Sequence, residues 1–219
     1  MKIVTPNKTQ SVDLIILVDR SGSMTNIARD MSGGLNRFIE EQKKVGGRCR
    51  VTLADFDSEE LRFLHLADEI EEVKPYEMAP RGWTPLFDAI VNTFAKFDQV
   101  ATPRMDKTIC LIITDGEEND SKEVHDKQVI VNLIKNKQEN EKWDIIYLGA
   151  DHDAFAAGAS MSVKTSASYN KTKTSVNNMY GTLHKKMSAV RSCSLESLDL
   201  DANDAAAIAS NDVEVDWEN

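Results

Sequence analysis

The stretch VDLIILVDRSGSM, residues 12–24, decides which fold the sequence predicts. Its first part, VDLIILVD, is almost continuously apolar, which is typical of a β-strand covered by helices on both faces. A polar turn follows, and behind it one helix face is marked at spacings of three and four residues by Ile27, Met31, Leu35, Phe38 and Gln42. A buried strand that passes through a turn into a helix predicts a unit of a parallel α/β sheet.

Strands and helices continue to alternate in the next part of the chain. RVTLADFD (residues 50–57) and LRFLHL (61–66) predict two strands, and the link between them is too short for a crossover. They are therefore expected to form an antiparallel hairpin. The helix predicted after RGWTP has Thr84 as its hydroxyl N-cap and Pro85 at its first position.

Two more apolar runs, TICLIITD (residues 108–115) and WDIIYLGA (143–150), predict further buried strands. Asp153 is expected to cap a short helix, and residues 162–165 to form a small last strand. The last helix has a stripe formed by Val176, Met179, Tyr180, Leu183, Met187 and Val190. We expect an α/β fold: a doubly wound, mainly parallel six-stranded sheet with one antiparallel edge strand and helices on both faces.

Charge is spread unevenly near the end of the chain. Residues 161–191 contain six basic residues and no acidic one, whereas residues 192–219 contain eight acidic residues and no Lys or Arg. We expect one domain over residues 1–191 and an acidic C-terminal tail over 192–219, which is flexible or forms an accessory helix. The basic stretch is interpreted as the solvated face of the last helix, with docking of the tail as the alternative.

Composition disfavours several classes of partner. The net charge of −10 over 219 residues argues against nucleic acid. The apolar runs are strand-sized, so no membrane span is expected, and the first residues lack the pattern of a secretory signal. Three scattered cysteines, Cys49, Cys110 and Cys193, indicate neither a zinc site nor a redox motif. A reduced, cytoplasmic protein is the resulting expectation.

Oxygen-bearing side chains follow two of the buried strands and open the helix between them. Asp19, Ser21 and Ser23 come at the end of the first strand, Thr84 at the start of the helix, and Asp115 at the end of ICLIITD. Ligands of doubly wound sheets bind beyond the carboxyl ends of the strands, so we expect these five side chains to meet. Carboxylates and hydroxyls are hard oxygen donors, which suit Mg²⁺, with Mn²⁺ as a substitute.

The spacing Asp-x-Ser-x-Ser has a steric purpose. In an extended segment that enters a turn, residues i, i+2 and i+4 can point the same way, and Gly22 permits the tight turn. Three hydroxyl ligands would leave the charge of the ion unneutralised. Such an ion stays electron-poor, and an open coordination position would attract a carboxylate of Asp or Glu from a protein partner.

These residues resemble the metal-ion-dependent adhesion site of von Willebrand factor A (VWA) domains, as do the blocks LIILVDRSGSM, GWTPLFDAI and IITDGEEND. The segment YLGADHDAF resembles one in stand-alone bacterial members, and the resemblance covers residues 11–191. It implies a domain that binds proteins, generally without catalysis. Asp19 and Asp115 would coordinate the metal directly or through water, and the hydroxyl ligands would be Ser21, Ser23 and Thr84.

Other polar residues near the same edge have less specific interpretations. Asp55 and Asp57 are expected to form a turn, with support of the metal as the alternative. Residues 117–120 are interpreted as a solvated acidic loop, or else as a determinant of partner choice or a second cation site. His152 is not expected to bind metal. Trp83 is either a packing residue or an exposed anchor for a partner.

The sequence is also compatible with two other functions. A Mg²⁺-dependent phosphoryl-transfer hydrolase could use a sheet-top aspartate as nucleophile, but a second aspartate is missing two residues after Asp19, where Ser21 stands. A metal-independent scaffold would bind through the tail or the basic helix. The tail could also place a carboxylate on the metal of a neighbouring molecule and so cause self-association.

Overall fold

The computed structural model describes residues 9–150 and 153–217, and its centre is a six-stranded sheet. The strand order is β3-β2-β1-β4-β5-β6, and every pairing is parallel except that of β2 with β3. The sequence-based fold class is thereby confirmed, including the hairpin strand at the edge. The strands are β1 (Val12–Asp19), β2 (Cys49–Phe56), β3 (Leu61–Glu69), β4 (Lys107–Thr114), β5 (Asp144–Ala150) and β6 (Thr165–Tyr169).

Helices cover both faces of this sheet. Within the described part of the chain, none of them is long and apolar enough to cross a membrane. A short 3-10 turn, Gly22–Ile27, joins β1 to the first helix, and another, Ile70–Glu72, follows β3. The helices are α1 (Ala28–Lys43), α2 (Leu86–Val100), α3 (Lys127–Glu139), α4 (Ala154–Ser160), α5 (Lys173–Arg191) and α6 (Ala202–Ala209).

The side chains of β1 show why the strand is apolar throughout. Leu14, Ile16 and Val18 belong to a buried cluster shared with α1, α5 and α6. Ile15 and Leu17 belong to a second cluster, on the opposite face, shared with α2, α3 and α4. Because successive side chains of a strand point to opposite faces, a central strand between two helical layers has no solvated side. The predicted stripes of α1 and α5 are buried in the first cluster.

Two expectations about element boundaries are wrong. The last strand is β6, not residues 162–165; its Thr165, Ala167 and Tyr169 are buried and alternate with half-buried serines. Small polar residues give such a strand a weak sequence signal. α2 begins at Leu86 with Pro85 as its N-cap, so Thr84 is not the N-cap and Pro85 is not the first helical residue. The amide of Leu86 donates to the carbonyl oxygen of Thr84, and the next two amides, those of Phe87 and Asp88, donate to Glu118 and Ser121 in the loop after β4.

A third correction concerns the basic stretch, which is not simply a solvated face. Arg191 is only 1% exposed, and its guanidinium donates to the carbonyl oxygens of Gln42, Val45 and Gly47. It therefore fastens the end of α5 to the end of α1. Burial of so polar a group is tolerated because hydrogen bonds satisfy both terminal nitrogens, although Nε has no hydrogen-bond partner among the described residues.

The segment after α5 packs on the same helix. The side-chain nitrogen Nδ2 of Asn178 donates to the carbonyl oxygens of Ala207, Ser210 and Val213. One ion pair, with 2.6 Å between Lys186 Nζ and Asp204 Oδ2, joins the basic helix to the acidic segment. This ion pair is a direct contact between the acidic segment and the basic helix, as the alternative of a docked tail requires. The division of the chain at residue 191 stays a prediction.

Candidate metal site

The predicted site lies where the strand order reverses. Strands β2 and β3 lie on one side of β1, and β4 to β6 lie on the other. Asp19 is the last residue of β1, and Asp115 directly follows β4, its parallel neighbour. The carboxyl ends of two adjacent strands therefore bring these aspartates to one crevice, which is the usual ligand site of such a sheet.

Backbone hydrogen bonds hold three loops together above this crevice. Gly22 N donates to Gly82 O at 3.0 Å, and Arg81 N donates to Arg20 O at 2.9 Å. The amide of Thr84 donates to Asn119 Oδ1 at 2.9 Å, and Asn119 N donates back to Thr84 O at 3.1 Å. The loop before α2 is thus tied on one side to the loop after β1 and on the other to the loop after β4.

Four of the five predicted residues form one hydrogen-bonded chain. The Ser21 amide donates to Asp19 Oδ1 at 2.7 Å, and 3.0 Å separates Ser21 Oγ from Ser23 Oγ. Ser23 Oγ then donates to Asp115 Oδ1 at 2.6 Å. The structure therefore brings both carboxylates and both serines together. Their role as metal ligands stays a prediction.

Thr84, the fifth residue, lies against the turn that follows Asp115. It is 2% exposed, and a methyl group added to Gly116 would lie 3.5 Å from Thr84 Oγ1. The hydroxyl is thus close to the chain segment that carries Asp115.

Asp19 is a carboxylate in a dry environment. It is fully buried, and burial raises its pKa to about 6. Hydrogen bonds from Thr114 Oγ1, at 2.6 Å, and from Ser21 act in the opposite direction, and the charge of Asp115 adds to the rise. Thr114 was missed by sequence reasoning, because a threonine inside an apolar strand is indistinguishable from a core residue.

Asp115 has a cationic neighbour that the sequence did not reveal. Lys171 Nζ lies 2.8 Å from Asp115 Oδ2. That oxygen is buried and accepts no hydrogen bond of standard geometry, so the contact is an ion pair. Lys171 follows β6, which is separated from β4 by β5, and its position in a polar loop gave no sequence signal for this contact.

Arg20 lies between Asp19 and Ser21 and anchors the loop after β1 to the end of β2. The guanidinium is 2% exposed and lies 3.2 Å from Asp55 Oδ1 and 2.6 Å from Asp57 Oδ2. Asp55 also accepts two hydrogen bonds from Arg62. Asp55 and Asp57 therefore support the loop that carries the predicted ligands, which gives a physical reason for their position at the end of β2.

The acidic loop after Asp115 is organised, and the interpretation as a purely solvated loop is wrong for Glu118. Glu118 Oε2 accepts a hydrogen bond from Phe87 N at 2.8 Å, so the Glu118 carboxylate caps the start of α2. The sequence had predicted this capping role for Thr84. Glu118 Oε1 accepts from the amides of Asp120 and Ser121. The loop is thereby fixed against the start of the helix.

Two large side chains near this edge are exposed. Trp83, the neighbour of Thr84, is 66% exposed, so the packing interpretation is wrong. Phe155, in the first turn of α4, is 53% exposed. Asp153 caps α4 by accepting from Ala156 N, as expected, whereas His152 lies outside the described residues.

The donor set contains two carboxylates, and the other oxygens are hydroxyls. Across residues 9–150 and 153–217, no group of three or more His, Cys, Asp or Glu side chains could hold a metal ion. A site of the predicted kind depends on serine and threonine hydroxyls, which such a group does not include. Asp19 and Asp115 together carry two negative charges, of which the Lys171 ammonium balances one.

Comparison with solved structures identifies the fold. No protein-family model matches the chain, and no curated protein matches its sequence. Proximal thread matrix protein 1 from the mussel byssus aligns with a TM-score of 0.57 at 14% identity, over 82% of this chain and 46% of that one. A von Willebrand factor type A structure from Catenulispora acidiphila gives a TM-score of 0.55 at 12% identity, over 83% and 43%.

The VWA domain of SpRpn10 is similar over nearly its whole length. Its TM-score is 0.51 at 10% identity, and the alignment covers 80% of this chain and 95% of that domain. This chain spans less than half the length of the other two structures. Identities this low establish the fold and not the function. The strand order, the helical layers and these structural neighbours together show that the chain has the fold of a von Willebrand factor A domain.

Proposed function

We propose that this chain is a metal-dependent protein-interaction module, in which one Mg²⁺ at the top of the sheet captures a carboxylate of a protein partner. Domains of this fold generally mediate protein–protein interaction. The ligands would be Asp19, Ser21, Ser23, Thr84 and Asp115, and Mn²⁺ would substitute for Mg²⁺.

The observation that carries the proposal is the state of the two carboxylates. Both are buried at the switch point, and serine hydroxyls bridge them. Asp115 Oδ2 has no hydrogen-bond donor of standard geometry. The Lys171 ammonium compensates only Asp115, so the two buried carboxylates retain one uncompensated negative charge, and the residues present fit a hard divalent ion.

The surrounding residues would prepare the site for a partner. The ion pairs of Arg20 with Asp55 and Asp57 hold the Asp-x-Ser-x-Ser loop in position without contributing charge to the crevice. Trp83 offers an exposed apolar surface next to Thr84, against which a partner side chain could pack. When bound, the metal would supply an electrophilic position that attracts a carboxylate.

Partner capture tests this proposal. The purified chain is immobilised, exposed to lysate of its host in Mg²⁺ or in EDTA, and the retained proteins are compared. We expect partners whose capture is lost in EDTA and in Ser23→Ala, but retained in Ser192→Ala, which removes an exposed hydroxyl at the other end of α5. Capture that survives both EDTA and Ser23→Ala would instead support a metal-independent scaffold.

We also propose that the site binds without catalysis. An aspartyl nucleophile at position 19 would need a second carboxylate two residues later as its acid–base partner. That residue is Ser21, and its Oγ lies 3.0 Å from Ser23 Oγ. Hydrolysis of a phosphate ester by the wild type that disappears in Asp19→Asn would contradict this.

A further inference from the structure

A lysine side chain reaches into the crevice from two strands away. Lys171 follows β6, and its ammonium lies 2.8 Å from Asp115 Oδ2, beyond the end of β5. The Lys171 side chain is 23% exposed, whereas the Asp115 side chain has no exposed surface. The cation therefore covers one oxygen of a carboxylate that is otherwise closed off from solvent.

The loop that carries Lys171 is fixed on both sides. The hydroxyl of Tyr169 donates to the carbonyl oxygen of Thr114 at 3.1 Å, which ties the end of β6 to the end of β4. Asn170 Nδ2 donates to Ala209 O at 2.5 Å, and Thr172 Oγ1 donates to Asn211 Oδ1 at 2.6 Å. The segment after α5 thus clamps the residues on either side of the lysine.

The Lys171 ammonium lies beside one of the two buried carboxylates of the site, where its positive charge balances part of their negative charge. Asp19 and Asp115 carry the two carboxylates of the site, and the guanidinium of Arg20 is directed to Asp55 and Asp57 instead. A cation that neutralises Asp115 removes much of the electrostatic attraction for a second cation at the same oxygen. Lysine is suited to such a role because its flexible stem can move the charge aside.

We propose that Lys171 is an internal counter-ion that competes with the divalent metal for Asp115 and so sets the metal affinity of the site. The inference rests on the proposed function, because it assumes that the crevice binds a divalent ion. Metal binding displaces the ammonium from Asp115 Oδ2, and the cost of that displacement weakens metal affinity. The site is then occupied only when the metal, or the metal together with a partner carboxylate, outcompetes the lysine.

The test compares Lys171→Met with Lys173→Met. Both changes remove one positive charge and leave a long unbranched side chain, but Lys173 is exposed in the first turn of α5. Mg²⁺ and Mn²⁺ affinities are measured by titration calorimetry, and thermal unfolding is recorded in EDTA. Lys171→Arg, which keeps the charge, separates charge from shape.

Competition predicts tighter metal binding in Lys171→Met, on the order of tenfold, because one positive charge is removed next to the ion. Affinities of Lys173→Met and Lys171→Arg stay close to the wild-type value. In EDTA, Lys171→Met unfolds at a lower temperature than Lys173→Met, since Asp115 has lost its counter-ion. Added Mg²⁺ narrows or reverses this difference.

Two results would overturn the inference, and they are distinguishable. If the wild type binds metal and Lys171→Met binds it equally or more weakly, Lys171 is only a structural anchor of its loop, while the proposed function stands. If neither the wild type nor Lys171→Met binds Mg²⁺ or Mn²⁺, the metal site itself is wrong, and the competition fails with it.

Discussion

Asp19 shows how the fold places a charge where water cannot reach it. The residue ends a strand whose side chains are buried on both faces, and its carboxylate accepts hydrogen bonds from Ser21 N and Thr114 Oγ1. These donors only partly offset burial, since the pKa of Asp19 still rises to about 6. A buried carboxylate with a strongly raised pKa at the edge of a sheet is a candidate functional group.

Part of this site could be predicted from single residues, and part could not. Asp19, Ser21, Ser23 and Asp115 are recognisable because polar residues interrupt apolar strands at their carboxyl ends. Lys171 and Glu118 act across the top of the sheet, on residues far away in the sequence. No spacing rule connects such pairs, so the contacts become visible only in three dimensions.

Two adjacent glycines in α1 give a matched prediction at this scale. A methyl group on Gly33 would meet no heavy atom within 4 Å, whereas one on Gly34 would overlap the ring of Tyr180. We expect Gly33→Ala to raise the free energy of unfolding by about 0.5–1 kcal/mol, because alanine restricts the unfolded chain and favours the helix.

Gly34→Ala is expected to lower the free energy of unfolding by about 1–3 kcal/mol through overpacking, since Tyr180 is fully buried beside Phe38. Urea denaturation of both variants checks the pair. Equal effects of the two substitutions would contradict the close packing of α1 against α5.

The pairing of α1 with α5 depends on polar groups as well as on its apolar stripe. Gln42 is fully buried, and its Nε2 lies 2.9 Å from His184 Nδ1 and 3.1 Å from Ser188 Oγ. Because the amide nitrogen of Gln42 is a donor, His184 Nδ1 must accept and so must be unprotonated. This interhelical bond therefore depends on the neutral form of the histidine.

His184 makes the stability of this helix pair sensitive to acid. Burial lowers the pKa of His184, the cations Lys44, Arg37 and Lys185 lower it further, and Glu41 raises it. A histidine whose folded pKa lies below the unfolded value contributes stability above about pH 6.5 that is lost as the pH falls. We expect the unfolding free energy of the wild type to fall more steeply between pH 7 and pH 5 than that of His184→Gln.

Chemical denaturation of both proteins across this pH range measures the difference. Parallel pH profiles would show that His184 titrates alike in the folded and unfolded chains. The helices themselves were predictable from their apolar periodicity, but Gln42 was identified only as a member of the α1 stripe, and its bond to α5 was not foreseen.

At the scale of the whole molecule, alternation of apolar strands and amphipathic helices was sufficient to predict the sheet, its antiparallel edge and both helical layers. The position of β6 was not predictable in this way, because small polar residues form much of that strand. The segment after α5 was characterised by charge alone. Its packing depends on hydrogen bonds to Asn178 and on Trp217, which stacks on His184, and no charge pattern encodes those contacts.

The arrangement of the molecule gives the site three separate supports. Arg20 fixes the loop after β1, Glu118 and Asn119 join the loop after β4 to the start of α2, and the segment after α5 clamps the loop of Lys171. The rigid sheet thus carries the oxygen donors, while the clamped loop carries their counter-ion. We expect a site built in this way to bind a cation reversibly.

Titration calorimetry of Mg²⁺ into the metal-free wild type and into Ser21→Ala measures whether the hydroxyls of the crevice bind the metal. Ser21 contributes a hydroxyl and no charge, so its loss leaves the buried ion pairs of Arg20 intact. We expect one Mg²⁺ per wild-type chain and at least about tenfold weaker binding in Ser21→Ala, equivalent to about 1.4 kcal/mol. The same Mg²⁺ affinity in both proteins, or no binding to the wild type, would contradict it.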